Sequence, residues 1–372
     1  MLDRVKLAQE CKRMAGSLFI DNSSEIIQAQ HAWQQIADDA SIAKRIAAID
    51  APFCLPSWLG AIGKKVTVNN KIEQYCIVSV DGSQIYPDRH RGPSCFLINI
   101  GSIMFHYGAQ SHVRLFSQPH IFSAHNQENE HMSTDMVNCR RQELEFNEGL
   151  KQGILLKSHA SNDPFLLLFD GSLVFWLLES KDSALQSLFL PLYIQALERM
   201  YQEKIPIAGY ISLPKSRELV NVLRLTLADF SPKKALDHDL HLIFDNTVAG
   251  FFLQTGERTT VFKNNASISQ EYPDHLRPYF FYINVGTEIS RVEIPNWIAQ
   301  DERLTNQIAH IIIDQCLKGY GYPIAIAESH EAAVVKGADR DFFYHLLDKI
   351  SIDRTHQTTS SQKSIRKRYI GF

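Results

Sequence analysis

An α/β protein built on a mixed sheet, with flanking helices and a helical N-terminal extension, is the fold class this sequence predicts. Three observations carry that expectation. Residues 1–50 show only helical spacing of apolar positions. Three β-rich runs then follow one another between residues 75 and 122, in the manner of an antiparallel meander. From residue 136 onward helical and strand patterns alternate, which requires parallel pairing on that side of the sheet.

In the N-terminal region, Ser23-Ser24-Glu25 opens a long helix through Ile26, Ile27, Ala29, Trp33 and Ile36, and Pro52 and Pro56 end the region. Tyr75-Cys76-Ile77-Val78-Ser79-Val80 reads as a buried strand, with Asp81 at its end and Gly82 in the turn beyond. Residues 95–106 form the second strand and 112–116 a shorter, alternating third. The polar stretch 123–135 reads as a surface loop. Residues 136–158 are helical through Met136, Leu144, Leu150 and Ile154. Strand 165–169 follows, then a helix over 184–201 that Pro191 either kinks or begins. Strand 207–212 and a helix over 216–225 continue the alternation. Residues 240–244, 259–262, 279–285 and 291–295 read as strands, 302–318 as a helix, 323–327 as one more buried strand, and 341–350 as a last helix. This divides the chain into a helical extension over residues 1–60, an α/β domain over 70–352, and a polar, basic tail over 353–372 that includes Lys363-Ser364-Ile365-Arg366-Lys367-Arg368-Tyr369.

The chain has 372 residues, of which 45% are hydrophobic and 21% charged, enough for a sizeable core and unlike a disordered chain. A formal net charge of −3 does not by itself mark a nucleic-acid binder; such binding needs a local basic groove or a partner that delivers the substrate. Six scattered cysteines without a C-x-x-C argue against a zinc ribbon and for a reducing compartment. No stretch approaches the ~20 apolar residues of a membrane span, and a cytoplasmic protein is expected. G-x-x-x-x-G-K-[ST], G-x-S-x-G and H-E-x-x-H are all absent from the sequence.

Chemistry concentrates in a repeated arrangement. Asp81-Gly82-Ser83 and Asp170-Gly171-Ser172 each follow a buried-strand pattern. Taken singly, each tripeptide reads rather as a turn, and it is the pair, both after buried strands, that brings the site reading level with it. Two strand-end aspartates on neighbouring strands converge, and converging carboxylates repel unless a proton or a divalent metal lies between them. A metal-dependent hydrolase is the first reading. Glu145 shares a helix face with Arg141, four residues earlier, and would add a third carboxylate; an ordinary helix ion pair is the alternative. Three carboxylates suit Mg²⁺ or Mn²⁺. Tyr322 and His330 flank the 323–327 segment, and His330 is either a ligand, a proton carrier or a structural histidine. Lys215, with Arg217 and Arg224, is placed to meet phosphates, or simply to solvate a helix start. Asp237-His238-Asp239-Leu240-His241 reads as an ordinary polar approach to a strand.

The order strand-Asp81-Gly82-Ser83, Arg141 with Glu145, strand-Asp170-Gly171-Ser172, then Tyr322 and His330 resembles the NurA nucleases. Segments 209–216 and 291–295 look like family segments as well. The resemblance covers roughly residues 78–348. It implies an RNase H-like core and an Mn²⁺-dependent (or Mg²⁺-dependent) 5′-to-3′ exonuclease with single-strand endonuclease activity. It further implies a homodimer that acts on DNA in end resection and double-strand break repair beside a HerA-type hexameric ATPase. Carried over residue by residue, Asp81, Glu145, Asp170 and His330 would surround two metal ions, with Asp81 bridging, Tyr322 beside them, and Arg141, Lys215 and Arg217 on the DNA. The family's Arg-then-Glu spacing of four selects Glu145 over Glu143. The separation between Glu145 and Asp170 is long for the family, and an insertion around 157–163 accounts for it. Two other classes stay open from the residues: a non-catalytic nucleic-acid or ATPase adaptor with this fold, and an RNase H-like phosphotransferase with Asp-Gly-Ser loops around ATP phosphates.

Overall fold

The computed structural model describes residues 2–68, 72–88, 95–123, 133–158, 163–179, 183–238 and 240–353. The basic run 363–369, residues 124–132 of the expected surface loop, residues 159–162 of the expected insertion, and Asp239 lie outside them. The strands are β1 (Lys65–Thr67), β2 (Tyr75–Ile85), β3 (Cys95–Tyr107), β4 (His112–Ser123), β5 (Phe165–Asp170), β6 (Ile207–Ile211), β7 (Glu257–Thr259), β8 (Phe262–Lys263), β9 (Pro278–Asn284) and β10 (Ile289–Pro295). The helices are α1 (Arg4–Arg13), α2 (Ala15–Leu18), α3 (Ser23–Ile36), α4 (Ser41–Ala47), α5 (Thr134–Ser158), α6 (Trp176–Glu179), α7 (Ser183–Gln202), α8 (Glu218–Leu227), α9 (Pro232–Ala235), α10 (Asp245–Gly250), α11 (Asn296–Ala299), α12 (Glu302–Lys318), α13 (Ile324–Ala333) and α14 (Gly337–Asp353).

The strands form one mixed sheet in the order β1-β7-β9-β10-β6-β5-β2-β3-β4, with β8 beside β9. β2, β5 and β6 are parallel to one another, and β2-β3-β4 is the expected antiparallel meander. Helices cover both faces. In β9, Phe281 and Ile283 join the core that contains α5, α7, α12 and α13, whereas Phe280 and Tyr282 join a second core with α3, α4, α8 and α10. This is the period-two alternation of a strand applied to two apolar layers. Residues of α3 and α4 are thereby packed against α8 and the sheet rather than against each other alone. β4 is an edge strand along which Val113, Leu115, Phe116 and Ile121 are exposed.

Three sequence expectations change. Residues 323–327 are not a strand: α13 starts at Ile324. A short apolar run is ambiguous by periodicity alone, and the alanines around Ile324 and Ile326 favour helix. Residues 240–244 lead into α10 instead of pairing in the sheet. Pro191 neither begins nor splits its helix, because α7 runs through it from Ser183 to Gln202.

α13 lies directly on the meander. A Cβ at Gly101 of β3 would fall 2.3 Å from the Ala333 backbone nitrogen, so only a bare strand admits the helix there. Asn99 Nδ2 and Ser83 Oγ donate to the Ala333 carbonyl at 2.8 and 2.6 Å, and Ser329 Oγ bonds Ser79 Oγ at 3.1 Å. Gly101→Ala is expected to lower unfolding stability by about 1–3 kcal/mol, the usual cost of overpacking against backbone; urea unfolding of the two proteins measures it.

Candidate active site

The parallel register between β2 and β5 builds the first half of the site. Their last paired residues are Val80 and Phe169. Asp81 therefore stands one step beyond the end of that pairing, level with Asp170, and the two side chains share a face. Asp81 is not at a strand end, as the sequence reading had it: β2 continues to Ile85 against β3. Gly82 is correspondingly not a turn glycine. It lies on the opposite face, where a Cβ would come within 2.6 Å of Arg141 Cγ and 2.7 Å of Glu145 Oε1. Its bareness lets α5 approach the strand. The second copy of the tripeptide does turn: Gly171 has φ +106°, a conformation costly for any residue with a Cβ.

Through the gap at Gly82, α5 brings in Arg141 and Glu145. Arg141 Nη1 donates to the Gly82 carbonyl at 3.1 Å, and its Nε lies 3.4 Å from Glu145 Oε1. That oxygen is buried and has no hydrogen-bond partner. Burial pushes the Glu145 carboxyl up to about 8; Arg141 opposes this, and the charges of Asp81 and Asp170 add to it. Glu143 leads elsewhere: it pairs with Arg140 at 2.5 Å, whose guanidinium lies over the Phe122 and Phe189 rings.

α13 and the residue preceding Pro323 supply the rest. His330 Nδ1 is 2.7 Å from Asp81 Oδ2, while Asp81 Oδ1 accepts from the Gly82 amide at 2.7 Å. Tyr322 donates its phenol proton to Asp170 Oδ1 at 3.0 Å and sets its ring edge-on to Tyr210. Burial, and then the Asp170 charge, hold the Tyr322 phenol well above its ordinary range. The Asp170 carboxyl is itself raised, by partial loss of water first, with the Tyr322 hydrogen bond opposing and Asp81 reinforcing. Asp81, Glu145, Asp170, Tyr322 and His330 thus come together from four separate parts of the chain.

The basic candidates divide. Lys215 is exposed at the rim of a cavity of about 470 Å³ that Gly171 and Ser172 also line. Arg217 lines the same cavity but donates to the Leu240 carbonyl at 2.9 Å, and Arg224 donates to the His238 carbonyl at 2.9 Å. The sequence reading missed Ser83, Asn99 and Gly101, which seat α13; the signal was a polar residue and a glycine interrupting apolar strands.

A family model, the NurA domain, matches residues 76–335. The chain belongs to the NurA family. It is similar over most of its length to crystal structures of NurA with manganese (11% identity, 92% of this chain and 98% of that one, TM-score 0.39) and of NurA bound to dAMP and manganese (12%, 91% and 95%, 0.37). A further crystal structure of NurA is similar at 13% identity, covering 91% of this chain and 97% of that one, with TM-score 0.39. No curated protein matches the chain.

The NurA-family chain has the donors a hard divalent cation takes: carboxylate oxygens and one imidazole. Glu145 Oε1 is buried without a hydrogen bond and close to two like charges, with the Arg141 guanidinium at 3.4 Å as its ion partner, an oxygen that a further cation would suit. As placed, no three His, Cys, Asp or Glu side chains among the described residues close around an ion. Asp81 is engaged by His330, Asp170 by Tyr322 and Glu145 by Arg141, so these side chains must exchange partners to enclose one.

A pH dependence follows for the metal-free protein. Glu145 titrates near 4.5 in a solvated chain and near 8 in the fold. A raised folded-state pKa contributes stability that is complete below pH 4.5 and lost as pH rises through 8. In EDTA, the wild type is expected to lose more stability between pH 6 and 9 than Glu145→Gln, which has no such proton to lose. Urea unfolding midpoints at the two pH values test this; equal losses count against a strained Glu145.

Proposed function

We propose that this protein is a metal-dependent deoxyribonuclease that hydrolyses phosphodiester bonds of DNA, with Mn²⁺ as its cofactor and Mg²⁺ as a substitute. The observation that carries the reading is the gathering of Asp81, Glu145 and Asp170 at one place, where burial first, and then the charges of the first and last, raise the proton affinity of the middle one. The strand order β4-β3-β2-β5-β6 suits the RNase H-like core that the family resemblance implies. The phosphotransferase alternative needs both Asp-Gly-Ser copies to form phosphate loops, and the first lies inside a strand.

Asp81, Glu145, Asp170 and His330 would hold the cations. When bound, divalent cations supply Lewis acidity to a phosphoryl oxygen and lower the pKa of a coordinated water. Arg141 orients the Glu145 carboxylate and offers paired N–H groups to a phosphate. Tyr322 retains its proton at neutral pH and directs it at Asp170 or at a substrate oxygen. His330 faces Asp81 with Nδ1, which leaves Nε2 as the ring atom that either holds a cation or carries a proton for the reacting water, not both. Lys215 contacts the DNA backbone at the cavity rim, and Arg217 stiffens that rim through Leu240.

The finer reading follows from family membership. We place the protein as a 5′-to-3′ exonuclease and single-strand endonuclease in DNA end resection and double-strand break repair, a cytoplasmic homodimer fed by a HerA-type hexameric translocase. Feeding by a motor accommodates a net charge of −3. α1 and α2 bury none of their residues and expose Val5, Leu7 and Leu18, surface suited to such partners. No helix among the described residues is long and apolar enough to cross a membrane.

Asp81→Ala and Asp170→Ala are each expected to cut single-turnover cleavage of end-labelled DNA in Mn²⁺ by about a hundredfold or more, beyond the cost of losing an outer-shell partner, with the fold intact by circular dichroism. EDTA should abolish wild-type cleavage. A folded Asp81→Ala variant that cleaves at the wild-type rate refutes the reading.

The same assay separates the two glutamates. Glu145→Gln keeps the side chain's size and should lower cleavage by orders of magnitude, whereas Glu143→Gln, which alters the pair with Arg140, should change it less than about threefold, the size of effect usual away from a site. The reverse pattern would put the ligand one helix face away.

A further inference from the structure

A buried ion pair lies two strands away from Asp170, outside the groups used so far. Arg291 and Glu293, both on β10, are 2% and 1% exposed. Arg291 Nε donates to Glu293 Oε1 at 2.9 Å, its Nη1 donates to Glu218 Oε1 at 2.8 Å, and its guanidinium stacks 3.7 Å from the Phe280 ring. The second Glu293 oxygen is turned to the loop that follows Asp170: Oε2 accepts from Ser172 Oγ at 2.6 Å and from the Leu173 amide at 2.9 Å. Ser172 Oγ in turn accepts from the Val174 amide at 2.9 Å.

The reach is possible because β6, the strand between, is bare at that level. Gly209 pairs with Phe169 on one side and with Glu293 on the other. A Cβ there would fall 2.4 Å from the Gly171 carbonyl oxygen and 3.2 Å from Leu173 Cγ. The loop therefore lies down across β6, and the left-handed Gly171 that turns it donates to the Tyr210 carbonyl at 2.8 Å.

We propose that Glu293, held by Arg291, is a positioning residue for the candidate site. It fixes the loop 171–174, and through it the direction of the Asp170 carboxylate toward Asp81. A buried ion pair of this kind is seldom a net source of stability compared with apolar residues of the same volume. Its specific product here is direction: a carboxylate that binds a backbone N–H and a hydroxyl of one loop leaves that loop a single arrangement. Neither residue touches substrate. The inference rests on the nuclease reading for what the loop positions, but its test can be read without cleavage.

The experiment uses the full-length chain, Glu293→Gln and Ser172→Ala. Calorimetric titration with Mn²⁺ should show the dissociation constant weakened about tenfold in Glu293→Gln and less in Ser172→Ala, the range expected for loss of a partner behind a ligand. Amide exchange of metal-free protein should accelerate in the 171–176 segment and stay at the wild-type rate in α12. Variants with a lowered unfolding midpoint but unchanged Mn²⁺ affinity and unchanged 171–176 exchange overturn the proposal, because that is a structural role alone. Should Glu293→Gln not fold, Ser172→Ala decides by the same two readouts. A wild type that neither takes up Mn²⁺ nor cleaves DNA overturns the nuclease reading and this one with it; a wild type that does both, beside unaltered variants, overturns only the positioning role.

Discussion

At three positions the sheet presents no side chain where another element must touch it, and the site is assembled at those contacts. Gly82 lets α5 bring Arg141 and Glu145 against β2; Gly101 lets α13 settle on β3; Gly209 lets the loop after Asp170 cross β6. In each case a Cβ would overlap its neighbour by a margin that rotation of one side chain cannot relieve at Gly101 and Gly209, where the opposing atoms are backbone. Close approach then fixes everything further out: the helix register decides that Glu145 and not Glu143 lies against Gly82, within reach of the aspartates' charge, and the seating of α13 decides that His330 meets Asp81.

Assembling like charges in this way is unfavourable in the empty protein. Glu145 and Asp170 both bind protons more readily than in a solvated chain, and burial is the larger part of the reason in each. The partners seen are the compensation available within the chain: Arg141 for Glu145, the Tyr322 hydroxyl for Asp170, His330 for Asp81. They are three single contacts of modest strength; in the proposed nuclease a divalent ion would replace them with stronger attraction to the carboxylates. The same geometry therefore describes a strained resting state and a donor set for a cation.

Much of this was legible in the sequence. The run 75–80, the meander after it, and the alternation beyond residue 136 predict the mixed sheet, and the i to i+4 relation of Arg141 and Glu145 is a helical signal that holds. The misreadings have physical causes. Asp-Gly-Ser occurs twice with different backbones: strand at 81–83, left-handed turn at 170–172. Glycine serves close approach in one and conformation in the other, and a tripeptide does not say which. Ile324-Ala325-Ile326 is equally apolar as strand or helix, and as the first turn of α13 it buries Ala325 and Ile326 in the main core. Glu293 and Arg291 are charged residues in a strand pattern; their role depends on what lies two strands away, which no local window contains.

The two aspartates differ in how firmly their backbones are held. Asp81 sits inside an eleven-residue strand, paired with Gly101 and continued for four residues on its far side. Asp170 is the last residue of a six-residue strand, followed by a glycine in a turn. One carboxylate is thus like the fixed jaw of a vice and the other like the sliding one. In the proposed nuclease, differences in ionic radius, or in the distance between attacking and leaving oxygens, would fall on the Asp170 side, and whatever grips that side would set how far the jaw travels.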